Sequence, residues 1–210
     1  MKTNDLKRLA RRGGFEERSR AAAAGLPDLA AADGLLDVAV GTMSSPVGEL
    51  FVAVTGRGLA AIAFEGDRYR DLVLGRIAQL ISPRILPSPR ATDAWRRELD
   101  EYFAAERTRF ELPVDRRLIH GIASDVLKQT SKIPYGEVST YGAIAKKIGH
   151  PSAARAVGRA LGANPIPIVI PCHRVIGASG ALTGYAGGLD RKVRLLELEG
   201  SVLPGSLGGA

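Results

Sequence analysis

From residue 35 onward, short apolar runs are broken by glycine-containing turns. Residues 35–40, 50–55 and 59–64 each read as a β-strand, and Thr55-Gly56-Arg57-Gly58 reads as a hairpin connection between the last two. Trp95, Leu99, Tyr102 and Phe103 then recur at i, i+4, i+7 and i+8, which predicts the buried stripe of a helix. That aromatic stripe is read as core, with no chemistry assigned to it. Pro83, Pro87 and Pro89 mark a loop before it, and residues 110–114 read as a last strand or a linker. Together these elements predict a small α/β domain with an antiparallel sheet over residues 35–114.

Beyond residue 115 the period is helical. Ile119, Ile122, Ala123, Val126, Leu127 and Thr130 fall on one face. Two short helices follow. Ser139 or Thr140 can cap the first, whose apolar face is Tyr141, Ile144, Ala145 and Ile148, and Gly149 suits its end. Ser152 is the expected N-cap of the second, over residues 153–163. The pair reads as a helix-turn-helix, with a generic αα-hairpin as the alternative. The second helix is thin, built on Ala153, Ala154, Ala156, Gly158, Ala160 and Gly162, with Arg155 one turn before Arg159. Such a helix suits a groove only about 6 Å wide, the minor one. A final helix is expected through Lys192, Leu195, Leu196, Leu198 and Glu199, giving a mostly helical second domain over residues 115–200. Residues 1–34 are read as a basic, disordered extension with a short helix near 6–12, and residues 201–210 as a flexible tail.

Charge sharpens this division. The net charge is +7, yet residues 116–174 carry nine basic and two acidic side chains while residues 21–115 carry ten and fourteen. The positive field therefore sits on the helix pair, where a nucleic-acid footprint belongs. No run of about 18 apolar residues suggests a membrane span. The single cysteine rules out an internal disulfide and fits a reducing, cytoplasmic compartment. Arg8, Arg11, Arg12, Arg18 and Arg20 would suit a mitochondrial leader, but Asp5, Glu16 and Glu17 argue against one.

That cysteine ends the apolar run of Asn164-Pro165-Ile166-Pro167-Ile168-Val169-Ile170-Pro171-Cys172, with His173 and Arg174 directly after it. Three prolines withhold the N–H groups of an interior strand, so the segment reads as a stiff, extended arm that delivers Cys172. A small buried hydrophobe is the bland alternative. A reactive thiol needs a base and positive charge nearby, and His173 and Arg174 offer both. In an extended chain neighbouring side chains diverge. His173 then acts through a relaying water, or else the backbone turns here. The glycine-rich loop 177–188, with Thr183 and Tyr185, reads as a cover for a small planar ligand.

The stretch Ile170-Pro171-Cys172-His173-Arg174-Val175-Ile176 resembles the active-site signature of the methylated-DNA–protein-cysteine methyltransferases. Pro134-Tyr135-Gly136-Glu137-Val138, Tyr141, the run from Ala153 to Gly158, Asn164-Pro165 and Gly184-Tyr185-Ala186-Gly187-Gly188 extend the likeness. It is good over residues 115–200 and weaker back to about residue 38. The resemblance implies a ribonuclease-H-like first domain and single-turnover repair, in which an O6-alkylguanine (O4-methylthymine is a second candidate) is flipped from duplex DNA. Its alkyl group passes to Cys172, with His173 as base, Glu199 orienting the imidazole, Asn164 holding the turn and Tyr141 serving the guanine edge and its phosphate. It further implies DNA contacts by Arg155, which fills the vacated stack, and by Tyr141, Ser152, Ala154, Arg159 and Arg174. The lesion pocket would comprise Tyr185, Ala186, Gly187, Leu161 and Pro167. No cofactor is implied, and the expected form is a monomer on double-stranded DNA.

The chain departs from the family pattern in two places. Gly121-Ile122-Ala123 stands where a phenylalanine-glutamine pair is usual, and Ala186 stands where serine is common. The cysteine-built zinc site of some relatives is impossible here, and Cys172, His120, His150 and His173 have no standard ligand spacing. The rival readings are a non-catalytic module that binds alkylated DNA and a Cys-His hydrolase. Adjacent placement of Cys172 and His173 makes the hydrolase awkward.

Overall fold

The computed structural model describes residues 36–201 apart from Glu65 and Asp67. The helix expected near 6–12, and all of the expected tail except Ser201, lie outside the described residues. Three strands, β1 (Val38–Met43), β2 (Leu50–Thr55) and β3 (Gly58–Phe64), form an antiparallel meander. Helix α1 (Arg68–Leu80) then leads to β4 (Ile85–Pro87), which pairs parallel with β1, giving the order β3-β2-β1-β4. The sheet is therefore mixed, not antiparallel as expected. The expected proline loop holds this edge strand, which ends on a proline that a central strand could not accommodate. Pro89 opens α2 (Pro89–Phe103), at a position where its missing N–H costs nothing. The first strand begins three residues later than its apolar run suggested.

The aromatic stripe of α2 buries Trp95, Leu99 and Tyr102 against Met43, Leu50, Val52 and Ile62 of the sheet. Each such side chain contributes roughly 1.5–3 kcal/mol on burial. Helix α1 covers the other face with Val73 and Ile77, against Val38, Phe51, Ala53 and Ala61.

The second domain packs α3 (Ile122–Thr130), α4 (Tyr141–Lys147), α5 (Ala154–Gly162) and α6 (Leu189–Leu198) around Val126, Leu127, Ile144, Val157 and Leu195. Ile119 precedes α3 and Ile122 is 43% exposed, so that helix is shorter and its apolar face narrower than the pattern implied. Thr140 caps α4 by accepting a hydrogen bond from the Ala143 amide. Ser152 caps nothing: α5 starts one residue late, with Ala153 at its N-cap. Residues 110–114 contribute only a bridge from Val114 to Leu59.

One core cluster runs through both domains, and the outer edge of β3, buried along its whole length, is closed by later segments of the chain. The Leu59 amide donates to Pro113 O at 2.9 Å, and the Ile62 amide donates to Pro165 O at 2.8 Å. Gly58, at φ 118°, leaves room for this closure, since a Cβ there would lie 1.9 Å from Pro113 O. Among the described residues, no helix is long and apolar enough to cross a membrane.

Candidate active site

Asn164 follows α5 and organises the arm that carries the cysteine. Its Oδ1 accepts from the Ile166 amide at 3.0 Å, and its Nδ2 donates to Ile170 O at 2.9 Å and towards Cys172 Sγ at 3.2 Å. The arm is coiled, not extended as expected. The Val169 amide bonds Pro167 O, the Ile170 amide bonds Ile166 O, and Ile168 sits at φ 74°. A β-branched residue in that left-handed region is a strained exception that its fully buried surroundings must hold in place. The backbone also turns at the cysteine, because Cys172–Arg174 is one turn of 3-10 helix leading into the short strand β6 (Val175–Ile176). Strand β6 pairs parallel with β5 (Ser139–Thr140), which fixes the cysteine turn against the start of α4.

Cys172 is buried, 7% exposed. Burial pushes its thiol pKa up, against the pull of the Asn164 hydrogen bond and the nearby Lys192 charge. At rest it is therefore a thiol and needs a base to become a nucleophile. His173 is fully buried behind it, and burial lowers its pKa despite the opposing carboxylate of Glu199. His173 Nε2 meets Glu199 Oε1 at 2.8 Å. An ionised carboxylate can only accept, so Nε2 carries the hydrogen and Nδ1 is left as a bare acceptor. Nδ1 is buried with no partner among the described residues.

Glu199 is a hub at the C-cap of α6. Burial alone would raise its carboxyl, but hydrogen bonds from His173 and Arg174 outweigh that and hold its pKa at about 2. Arg174 grips it through Nε at 2.7 Å and Nη2 at 2.8 Å, and Tyr102 donates its hydroxyl at 2.6 Å. Arg174 is thus turned inward, 6% exposed, with its remaining nitrogen on Ile133 O at 2.6 Å. This corrects two expectations: Arg174 neither faces a DNA surface nor supplies the charge beside the thiol. Lys192 supplies that charge. Its fully buried ammonium donates to Val175 O at 2.6 Å and Thr183 O at 3.0 Å, and burial brings its pKa down to about 8.

A cavity of about 600 Å³ opens above Cys172. Its walls include Tyr141 from α4, Ala154, Arg155, Arg159 and Leu161 from α5, and Tyr185 and Ala186 from the glycine-rich loop. Tyr141 ties helix to loop by donating its hydroxyl to Thr183 O at 3.0 Å. Arg155 and Arg159 are exposed at the rim, with Ser152 exposed in the turn before them. Tyr185 stands edge-on to Phe64 of β3, ring centres 6.1 Å apart.

Two of the expected pocket residues lie outside its lining. Pro167 is buried in the coiled arm. Gly187 is buried behind the wall, where a Cβ would meet the Phe64 ring at 2.4 Å; glycine lets the loop lie flat on the first domain. The structure thus brings Cys172, His173, Glu199 and Asn164 together beneath a cavity walled by Tyr141, Arg155, Leu161, Tyr185 and Ala186. Two contributors escape a reading of the sequence. Tyr102 belongs to the core stripe, yet its hydroxyl reaches Glu199. Lys192 sits at apolar spacing before Leu195 and Leu196, and that placement of a lysine on a buried face was the available signal.

Two family models match the chain in order: the ribonuclease-like domain of 6-O-methylguanine DNA methyltransferase over residues 38–116, and its DNA binding domain over residues 122–201. A methylated-DNA–protein-cysteine methyltransferase of Mycolicibacterium paratuberculosis is 54% identical over 166 residues, covering 79% of this chain and 94% of that protein. The crystal structure of the Mycobacterium tuberculosis O6-methylguanine methyltransferase superposes with a TM-score of 0.67 at 43% identity, covering 81% of this chain and 97% of that one. The Mycobacterium tuberculosis protein solved in complex with DNA gives 0.66 at 42% identity, covering 82% and 98%. With both domains matched and such relatives covered almost end to end, the chain belongs to the 6-O-methylguanine DNA methyltransferase family.

Proposed function

We propose that this chain repairs DNA by taking the alkyl group of an O6-alkylguanine irreversibly onto Cys172. The observation that carries the reading is the placement of the chain's single thiol. It lies under a cavity walled by a helix-turn-helix and backed by a buried His173–Glu199 pair.

The alkylated oxygen is unreachable in a stacked duplex, so the base is extruded into the cavity at a cost of a few kcal/mol. Arg155, at the rim on a helix of alanine and glycine, fills the gap left in the stack, while Tyr141, Ala154 and Arg159 lie along the strand. The thiol proton passes through a water to His173 Nδ1, the bare acceptor, and Glu199 stabilises the imidazolium that results. Sulfur then attacks the alkyl carbon in line. The S–C bond forms as the C–O bond breaks, and the electron pair stays on the guanine oxygen. The Tyr141 hydroxyl leaves Thr183 O as the base enters and donates its one hydrogen to a ring nitrogen of the purine anion. Backbone amides of the loop around Tyr185 and Ala186 receive the lesion oxygen. The step balances with protein, base and water, and requires no cofactor. The dependence on a free thiol supports a cytoplasmic setting.

The test is to incubate the protein with duplex DNA carrying O6-methylguanine and map the product by peptide mass spectrometry. One methyl group on the peptide containing Cys172, and none after Cys172→Ser, is expected. A methyl group elsewhere, or none on the wild-type chain, would overturn the reading.

A further inference from the structure

The first domain grips the turn beneath the cysteine at two consecutive carbonyls. Ile62 of the edge strand β3 takes Pro165 O, and Tyr69 of α1 donates its hydroxyl to Asn164 O at 3.0 Å. Asn164 is 2% exposed, and its side-chain amide is the group that donates towards the Cys172 sulfur. One residue is thus held from outside by its backbone carbonyl and reaches the nucleophile with its side chain. Burial raises the Tyr69 phenol to about 12, so it remains a donor across the working pH range.

We infer that Tyr69 is a positioning residue for the transfer: by fixing the Asn164 carbonyl it sets the Asn164 amide against the Cys172 sulfur, so the first domain tunes the reaction centre in the second. The amide hydrogen bond favours a negative sulfur, and its strength depends on its distance and angle. An Asn164 carbonyl deprived of its donor lets the turn relax and weakens that bond. Tyr69 is not among the residues that wall the cavity, and its hydroxyl acts on the sulfur through Asn164. The inference rests on the reading of Cys172 as the nucleophile.

The experiment uses the full chain carrying Tyr69→Phe, which removes only the hydroxyl. Single-turnover transfer should slow about fivefold, the effect of one neutral hydrogen bond. The loss should be equal on methylated duplex and on free O6-methylguanine base, with duplex affinity unchanged. In a background of Asn164→Ala or Asn164→Asp, whichever folds, the same change should have no further effect, because the amide it positions is gone. Arg194→Met removes a different hydrogen bond between the domains, to Pro46 O at 3.0 Å, and should leave the rate alone. A lowered melting temperature with an unchanged rate, or an equal loss with and without the Asn164 amide, overturns the inference. Transfer surviving Cys172→Ser would sink the reading of the nucleophile instead, and the two failures are distinct.

Discussion

His173 Nε2 lies 2.8 Å from Glu199 Oε1, an oxygen that also accepts from the Tyr102 hydroxyl and from Arg174 Nη2. Four donors thus converge on one buried carboxylate, and the pair is at once a piece of the reaction centre and a clamp between α2, the cysteine turn and α6.

That double duty predicts a link between pH and stability. The Glu199 carboxyl is held at about 2, below its ordinary 4.5, so the ionised form favours the folded state. Its contribution, roughly 3 kcal/mol, is complete above pH 4.5 and disappears as pH falls through 2. Urea midpoints followed downwards from pH 5 should therefore drop. Glu199→Gln should flatten this limb, lower stability at neutral pH by leaving Arg174 buried without its counter-ion, and slow transfer about ten- to a hundredfold. Duplex affinity should stay near wild type in the folded variant. Abolished affinity without unfolding contradicts the role given to Glu199.

Product should equal protein. S-methylcysteine is a thioether and a poor leaving group, and the sequence holds no second thiol to regenerate Cys172. Titrating the chain against excess methylated duplex should give one methyl transferred per active molecule and then a plateau. Sustained turnover without an added acceptor contradicts a one-use nucleophile.

Much of this arrangement was legible where local pattern and tertiary demand agree. The β2–β3 hairpin, the Trp95–Leu99–Tyr102 stripe and the Thr140 cap are all short-range. Helix α1 escaped because only Val73 and Ile77 are fully buried while Leu72 is 62% exposed, so the 3.6-residue period is faint. The strand β4 hid among prolines because its pairing partner is distant in the chain, Val38 opposite Ile85. Candidate chemistry divides the same way. Cys172, His173 and Asn164 are adjacent or nearly so in sequence, whereas the inward turn of Arg174 depends on Glu199, 25 residues on. The hydroxyl of Tyr69 meets Asn164 across 95 residues. No local pattern encodes that meeting.

The charge on the helix pair should govern binding and leave chemistry alone. Lys146 and Lys147 are exposed at the end of α4, and Arg159 is exposed on α5. Each phosphate left without its cation should reduce the slope of log affinity against log salt by about 0.9. Lys146→Gln with Lys147→Gln should therefore weaken duplex binding and flatten its salt dependence, with the rate on free O6-methylguanine base unchanged. An unaltered salt slope would move the DNA footprint elsewhere on the molecule.

Arg155 separates base flipping from simple groove binding. It is exposed at the mouth of the cavity, on a helix whose alanines and glycines leave little else to reach into a duplex. Extrusion leaves a hole in the stack beside an orphaned base, and a long planar cation can occupy the hole while hydrogen-bonding that partner. A single strand has less stacking to replace, and a free base has none. Arg155→Ala should therefore cut transfer strongly on duplex, less on single-stranded DNA and hardly at all on free O6-methylguanine. Single-turnover rates on the three substrates, each set against wild type, give the comparison. If Arg155 served the fold or the reaction centre, the three losses would be equal, and the finger role would have to be given up. A loss graded from duplex to free base has a simple source: the stack that Arg155 enters is present in the first substrate and missing from the last.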